Sequence, residues 1–309
     1  MKNKKLTVTI GIPAHNEESN IKNMLESVMK QRGKLFILEK IIVFCDGCTD
    51  NTFKIVKQMS RKNKIINVVN DGKRIGKAAR LNQIYTMNRS DLIGTFDADI
   101  VLERDCELEL MVREFVKNRK VLVVAARQTP FRAESLMGRF ANASFNMLQN
   151  ASMRWRNGNN IHSLQGSASI LRGVFAKSFK YPTNTISDQG CLYFTAVKRG
   201  RNSFRFAKNT RFIFRTVATF SDWRKLAARS LIFDKQNLAV HFGKKIISEY
   251  QMPKKYIRKA VLYILLRDPI GAVGSVLMNL FIRVFPYGSR EKGSSLWEIT
   301  KSSKASIKI

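Results

Sequence analysis

Leu92-Ile93-Gly94-Thr95-Phe96 runs without interruption into Asp97-Ala98-Asp99. The first five residues, apolar or β-branched around one glycine, read as a short buried strand. Two carboxylates at i and i+2 stand at its end. On a continuing strand they would face opposite sides of a sheet, but a turn after Phe96 lets both address one divalent cation. A D-x-D triplet alone carries little weight, because loop and cap aspartates produce it by chance. Its meaning depends on its surroundings.

Upstream, residues 5–12 form a β-branched run ending in Gly11-Ile12-Pro13, and residues 18–31 place Ile21, Met24, Leu25 and Val28 at helical spacing. The unit repeats. Residues 38–45 are an apolar strand, Asp46-Gly47-Cys48-Thr49-Asp50 is turn and cap, and a helix follows over 51–59. Residues 65–69 and 77–87 make a third unit; downstream of the triplet, 105–118 reads as helix and 121–126 as strand. Such alternation predicts an α/β protein with a mostly parallel sheet and helices on both faces. Ligands bind beyond the carboxyl ends of such strands, where the loops at 13–17, 46–50 and 97–99 would converge.

After Gln128 the pattern predicts a helix over 133–153 and a helix over 187–199, separated by a Gly/Ser-rich stretch, Gln165-Gly166-Ser167-Ala168-Ser169. Residues 203–215 alternate Phe204, Phe206, Phe212 and Phe214 with Arg205, Arg211 and Arg215. The strict period of two predicts a hairpin with its aromatics on the core, in preference to a platform for nucleic-acid bases.

Lys and Arg total 55 against 23 Asp and Glu, a formal net charge of +32, which favours phosphates, anionic lipid or nucleic acid as partners. From Asp222 onward there are 17 basic against 6 acidic residues, and an apolar run over 270–285 is interrupted only by Asn279 and Arg283. Sixteen residues of helix span about 24 Å, short of a hydrocarbon core of about 30 Å. With Lys254, Lys255, Arg258 and Lys259 beside a second apolar stretch, this tail suits the surface of an anionic membrane. The start Met-Lys-Asn-Lys-Lys lacks the apolar core of a signal peptide, which places the expected site at the cytoplasmic face of the cell membrane. Cys45 and Cys48 form no four-ligand metal set with other cysteines or histidines and read as structural thiols at a strand end. The expected organisation is a catalytic domain over 1–220, with a donor half 1–128 and an acceptor half 129–220, and a helical region over 221–309.

Four segments stand in an order that resembles the family 2 glycosyltransferases: Pro13-Ala14-His15-Asn16-Glu17-Glu18, Cys45-Asp46-Gly47-Cys48-Thr49-Asp50, Gly76-Lys77-Ala78 with Asn82, and Phe96-Asp97-Ala98-Asp99. The resemblance spans residues 5–230 and implies a GT-A fold, a Rossmann-like sheet binding a nucleoside-diphosphate sugar. It implies that Pro13, His15 and Glu17 line a uridine or guanosine pocket and that Asp46 accepts a hydrogen bond from a base N–H. Lys77, with Arg74, would bring positive charge to the donor. Asp99 would ligate a divalent metal, Mn2+ or Mg2+, with Asp97 holding the ribose or a metal-bound water. No third protein ligand is visible.

Inverting members carry an acidic residue followed by Asp at the start of a helix, the Asp removing the acceptor proton. Here the stretch is Ser187-Asp188-Gln189-Gly190, with Gln189 where the base would stand. Asp188 is therefore the candidate base, and Gly166, Gln189 and Arg229 are candidates for the acceptor side. The expected reaction is inverting transfer to a hydroxyl of a lipid-linked or cell-envelope glycan. The rival readings are a basic nucleic-acid-binding protein, which leaves the aligned carboxylates unexplained, and a silent relative that binds a nucleotide-sugar without transferring it, which Gln189 motivates. His162 is taken as structural, and no nucleic-acid partner is expected.

Overall fold

The computed structural model describes residues 4–182, 185–228, 234–284 and 300–307. Strand and helix alternate through β1 (Leu6–Ala14), α1 (Ile21–Met29), β2 (Phe36–Cys45), α2 (Thr52–Lys62), β3 (Ile66–Asn70), α3 (Lys77–Met87) and β4 (Leu92–Phe96). Then come β5 (Ile100–Leu102), α4 (Glu107–Lys117), β6 (Val123–Pro130), α5 (Leu136–Arg154), β7 (Ala168–Arg172), α6 (Gly173–Lys177), α7 (Asp188–Val197) and β8 (Phe204–Phe214). Four helices follow: α8 (Phe220–Ala228), α9 (Asp234–Phe242), α10 (Lys254–Arg267) and α11 (Pro269–Val284).

The strands form one eight-stranded sheet in the order β3-β2-β1-β4-β7-β6-β8-β5. β3, β2, β1 and β4 are parallel, as the alternating units require. Beyond β4 the sheet is mixed: β7 is antiparallel to β4 and β6, β8 is parallel to β6, and β5 is antiparallel to β8. Alternation of the strand residues divides the core in two. Val8, Ile10 and Ile12 face α1, α2 and α4. Ile42, Phe44 and Ile93 face α3, α6, α7 and α9. Gly11 lets α3 close on the sheet, since a Cβ there would stand 2.3 Å from Ile84 Cγ2.

Two readings of the sequence change. The hairpin expected over 203–215 is a single strand, β8, with Lys208 and Asn209 exposed where the register against β6 slips. Thr210 accounts for the irregularity: its hydroxyl donates to the Ala207 carbonyl at 2.7 Å and accepts from Arg127 N–H at 2.7 Å, making a bulge where a turn was expected. Phe204, Phe206 and Phe212 are buried, so β8 offers no base-stacking face at these rings. β7 emerges from the Gly/Ser-rich stretch, to which the sequence pattern assigns no element; pairing with β4 and β6 on both sides makes it a strand.

α11 presents small residues, Gly271, Ala272, Gly274 and Ser275, to its neighbours, and Met278 and Ile282 join Ala141 of α5 and Trp223 of α8. Its opposite face, Ile270, Val273, Leu277, Leu280 and Val284, is exposed. Among the described residues no helix is long and apolar enough to cross a membrane. Phe285, the last residue of the apolar run, lies outside the described residues.

At the start of α6, a Cβ on Gly173 would lie 2.5 Å from the backbone carbonyl oxygen of Ser90, which cannot rotate away. Gly173→Ala is expected to cost about 1–3 kcal/mol of unfolding free energy, read as a lowered urea midpoint at unchanged slope.

Candidate active site

The parallel strands end in register: Ala14 pairs with Cys45 and Cys45 with Asn70, while Gly11 pairs with Thr95. Chain order reverses between β1 and β4, so the crevice above their carboxyl ends is the switch point at which such sheets bind ligands. The loops after β1, β2 and β4 meet there.

Asp97 lies directly above β4. Its N–H donates to the Ser167 carbonyl at 2.8 Å, which ties the triplet to the segment that feeds β7. Lys77, the first residue of α3, bridges two carboxylates: its Nζ lies 2.7 Å from Asp97 Oδ1 and 3.1 Å from Asp188 Oδ2. It also donates to the Gly166 carbonyl at 3.2 Å. Burial alone would lower the lysine's pKa, but Asp188 and Asp97 outweigh it and hold the ammonium well above its ordinary range. Asp188 opens α7, behind a Ser187 cap whose hydroxyl accepts from Gly190 N–H at 3.3 Å.

Gly166 adopts φ +81°, and a Cβ there would stand 2.2 Å from Gln189 Oε1. Gly166 and Gln189, both read as acceptor-side residues, thus lie against each other beside Lys77. With Pro13, Lys77, Asp97 and Asp188 they line one small pocket. Arg229 lies outside the described residues.

The nucleoside-side residues are held by a second network. Asp46 is buried, with Oδ1 accepting from Ile75 N–H at 2.8 Å and from Arg80 Nε at 2.9 Å, and Oδ2 accepting from Gly76 N–H at 3.0 Å. Any contact with a nucleobase N–H therefore falls to the remaining lone pair of Oδ2. Arg80 is fully buried, and its NH1 and NH2 grip the Asp71 carboxylate at 2.8 and 2.7 Å. Sequence reading missed Arg80; its place one turn after Lys77 on α3 was the available signal, and its pairing with Asp46 emerges only from the fold.

His15 Nδ1 lies 2.7 Å from the Asp46 carbonyl oxygen. Burial, only partly offset by that contact, holds the imidazole below its ordinary pKa and therefore neutral at pH 7. Asn16 has a left-handed backbone, φ +52°, and its side chain spans to Thr49, whose N–H donates to Asn16 Oδ1 at 2.8 Å. Glu17 is buried and pairs with Lys304 at 2.7 Å. His162 stacks near Trp155 and Tyr250 with Nε2 at 3.1 Å from the Tyr250 carbonyl, a packing role far from a metal triad. Asn82 exchanges two hydrogen bonds with the Tyr181 backbone, at 3.0 and 2.9 Å, anchoring the segment that leads to α7.

Asp99 differs from its neighbours. No ion pair engages it among the described residues; burial first, then Glu17 and Asp97, push its carboxyl up to about 7. An acidic crowd of this kind is relieved by a bound cation. Among the described residues no three His, Cys, Asp or Glu side chains cluster closely enough to hold a metal ion by themselves. A hard cation here would draw on one or two carboxylates and on substrate oxygens, the usual manner of Mg2+ beside phosphates.

A doubly covered α/β sheet with paired carboxylates and a lysine at its switch point defines a nucleotide-binding enzyme fold. Residues 9–179 match the model of Glycosyl transferase family 2, and the chain belongs to that family. It is similar to the probable glycosyltransferase YdaM of Bacillus subtilis, 32% identical over 140 residues that make up 44% of this chain and 33% of that protein. It is also similar to 4,4'-diaponeurosporenoate glycosyltransferase of Staphylococcus aureus, 31% identical over 111 residues, 35% of this chain and 28% of that protein. The matches thus span about a third of those relatives' length.

Among solved structures the fold is similar to the mannosyltransferase PcManGT of Pyrobaculum calidifontis in complex with GDP-Man and Mn2+ (TM-score 0.55, 18% identity, 92% of this chain and 77% of that chain). It is also similar to S. aureus TarS 1-349 (TM-score 0.52, 14% identity, 91% of this chain and 93% of that chain). These likenesses establish the GT-A-like fold.

Arg80→Met leaves Asp46 and Asp71 without their shared cation. It is expected to cost about 3 kcal/mol or more of stability, measured by urea unfolding, and to speed hydrogen exchange at Ile75 and Gly76.

Proposed function

We propose that the chain transfers a sugar from a nucleoside-diphosphate sugar to a hydroxyl of a lipid-linked or cell-envelope glycan, with inversion and with a divalent ion, at the surface of an anionic membrane. The observation that carries the reading is the set Asp97–Lys77–Asp188 beside Asp99 at the sheet's switch point. Lys77 and Asp188 line one pocket, which supports reading the ammonium as the partner of a diphosphate and the carboxylate as the partner of an acceptor hydroxyl.

In this reading Pro13, His15 and Glu17 flank the nucleoside, and the Lys77 ammonium faces the diphosphate, where it offsets the charge developing on the leaving group. Asp188, ionised against Lys77, accepts the proton of the acceptor hydroxyl. As that proton moves, the acceptor oxygen bonds to the anomeric carbon and the bond from that carbon to the diphosphate oxygen breaks. Asp99, with Asp97, would hold Mn2+ or Mg2+, whose positive charge stabilises the departing nucleoside diphosphate. Gln189, packed on Gly166, serves to position the acceptor and carries no proton.

A cleft of about 970 Å3 between α5 and α10 supports an anionic acceptor, since Arg127, Arg132, Arg139 and Arg267 outnumber Glu134 and Asp268 on its walls, although Arg139 is paired with Asp268 at 2.6 Å. Gln149 donates to the Gln128 carbonyl at 2.7 Å, and Gln128 accepts from Ser167, whose carbonyl receives the Asp97 N–H, so hydrogen bonds link the wall of the cleft to the rim. The exposed apolar faces of α10 and α11, among them Leu262, Leu266, Leu277 and Val284, with Lys254, Lys255, Arg258 and Lys259 at one end, suit an in-plane seat on anionic lipid. That seat is at the cytoplasmic face of the cell membrane.

Nucleoside diphosphate released from UDP- and GDP-sugars measures the transfer. Asp99→Ala is expected to lower it at least about a hundredfold, and unchanged activity would refute the metal role. Asp188→Asn should abolish transfer while leaving donor affinity within about twofold.

The membrane seat is read separately. Leu266→Glu combined with Leu277→Glu changes two exposed positions and should abolish flotation with phosphatidylglycerol vesicles while soluble turnover of donor persists. Undiminished flotation would count against the lipid surface.

A further inference from the structure

Residues 300–307 return from the far end of the chain to the donor rim. The backbone of this strap is anchored at several points. Ser302 N–H and hydroxyl donate to Asp222 Oδ2 at 3.0 and 2.6 Å, and the Ser302 hydroxyl accepts from Ala218 N–H at 3.0 Å. Asn20 donates to the Lys304 carbonyl at 2.9 Å, Asn23 to the Ile307 carbonyl at 2.8 Å, and Arg215 to the Ser306 carbonyl at 3.1 Å. Ile307 is buried with Val101 and Ile213.

The strap delivers one side chain into the loop after β1. Lys304 Nζ lies 2.7 Å from Glu17 Oε1, 2.5 Å from the His15 carbonyl oxygen and 2.9 Å from the Asn16 carbonyl oxygen. An ammonium has three N–H donors, and here three oxygens of one turn receive them. The turn needs such a clamp. Asn16 is held at φ +52°, a conformation that costs a non-glycine residue energy, and two successive carbonyls point the same way beside a buried carboxylate. Without a cation, Glu17 would face Asp97 and Asp99 with no compensating charge.

We propose that Lys304 is a positioning residue of the donor site, clamping the His15–Asn16–Glu17 turn in the shape that receives the nucleoside. The proposal rests on the donor reading above and adds to it a residue that the family-matching segment, 9–179, does not contain. Lys304 acts through the turn. Its three donors are already used, so it is a clamp and not a ligand of the sugar or the diphosphate. The strap's other anchors are backbone groups and side chains apart from Lys304, so changing this side chain should leave the strap in place.

Two readouts test the clamp on the full chain. In Lys304→Met, hydrogen exchange at the amides of residues 15–18 is expected to rise about tenfold or more, with exchange in β2 and α4 unchanged. The affinity for UDP or GDP, titrated calorimetrically with Mn2+ present, is expected to fall about tenfold, and Lys304→Arg should recover much of both effects because it keeps the charge and the donors. Unchanged exchange at 15–18 would overturn the proposal whatever happens to nucleotide binding. Tighter nucleotide binding in Lys304→Met would also overturn it, since the lysine would then be a competitor that the donor must displace. If exchange rises but neither nucleotide binds the unmodified protein, the donor reading falls while the clamp on the turn stands.

Discussion

Lys77 carries the arrangement on which the site depends. Its ammonium stands between a carboxylate from the end of β4 and one from the start of α7, and so joins the two halves of the sheet across the crevice. Two partly buried carboxylates at such a distance would repel one another in the absence of a cation, and removing the shared lysine would leave both unpaired. Backbone contacts reinforce the same junction, for Asp97 N–H meets the Ser167 carbonyl and Lys77 meets the Gly166 carbonyl. The left-handed glycine at 166 is what brings that second carbonyl into reach.

Charge is distributed unevenly around this junction. The chain as a whole is at +32, yet Glu17, Asp97, Asp99 and Asp188 gather at one rim. A basic body raises the local concentration of anions in general, while carboxylates gathered at one rim favour cations there. Lys77 satisfies two of these carboxylates and Lys304 a third. Asp99 is left with its carboxyl pushed up to about 7, the one member of the set that no ion pair engages among the described residues.

The donor half was legible because its information is local. β-branched runs end in polar loops at residues 13–17, 46–50 and 97–99, and the periodicity of α3 fixed its limits at Lys77–Met87. The same local reading failed where pairing partners are distant. β7 hides in a Gly/Ser-rich stretch until β4 and β6 flank it, and β8 looks like a hairpin until Thr210 turns the expected reversal into a bulge. Arg80 and Lys304 were missed for a related reason. Each is one lysine or arginine among 55, and only the fold shows which of them meet a buried carboxylate.

α5 is the element that relates the apolar outer surface to the rim. One side of it packs on α11, where Gly274 allows close approach to Phe140, and another reaches Gln128 through Gln149. Gln128 in turn accepts from Ser167, the residue whose carbonyl holds Asp97. If α10 and α11 lie on a bilayer, the arginine-lined cleft between α5 and α10 is held at a fixed height above the lipid headgroups. An acceptor anchored in that bilayer then gains effective concentration at the rim without any added contact, because its diffusion is confined to the surface on which the enzyme sits. The packing of α5 on both α10 and α11 matters for this proposal. A loosely tethered tail would give attachment but no fixed angle of approach, whereas on the proposed membrane seat a helix bonded to the sheet beside Ser167 would set both.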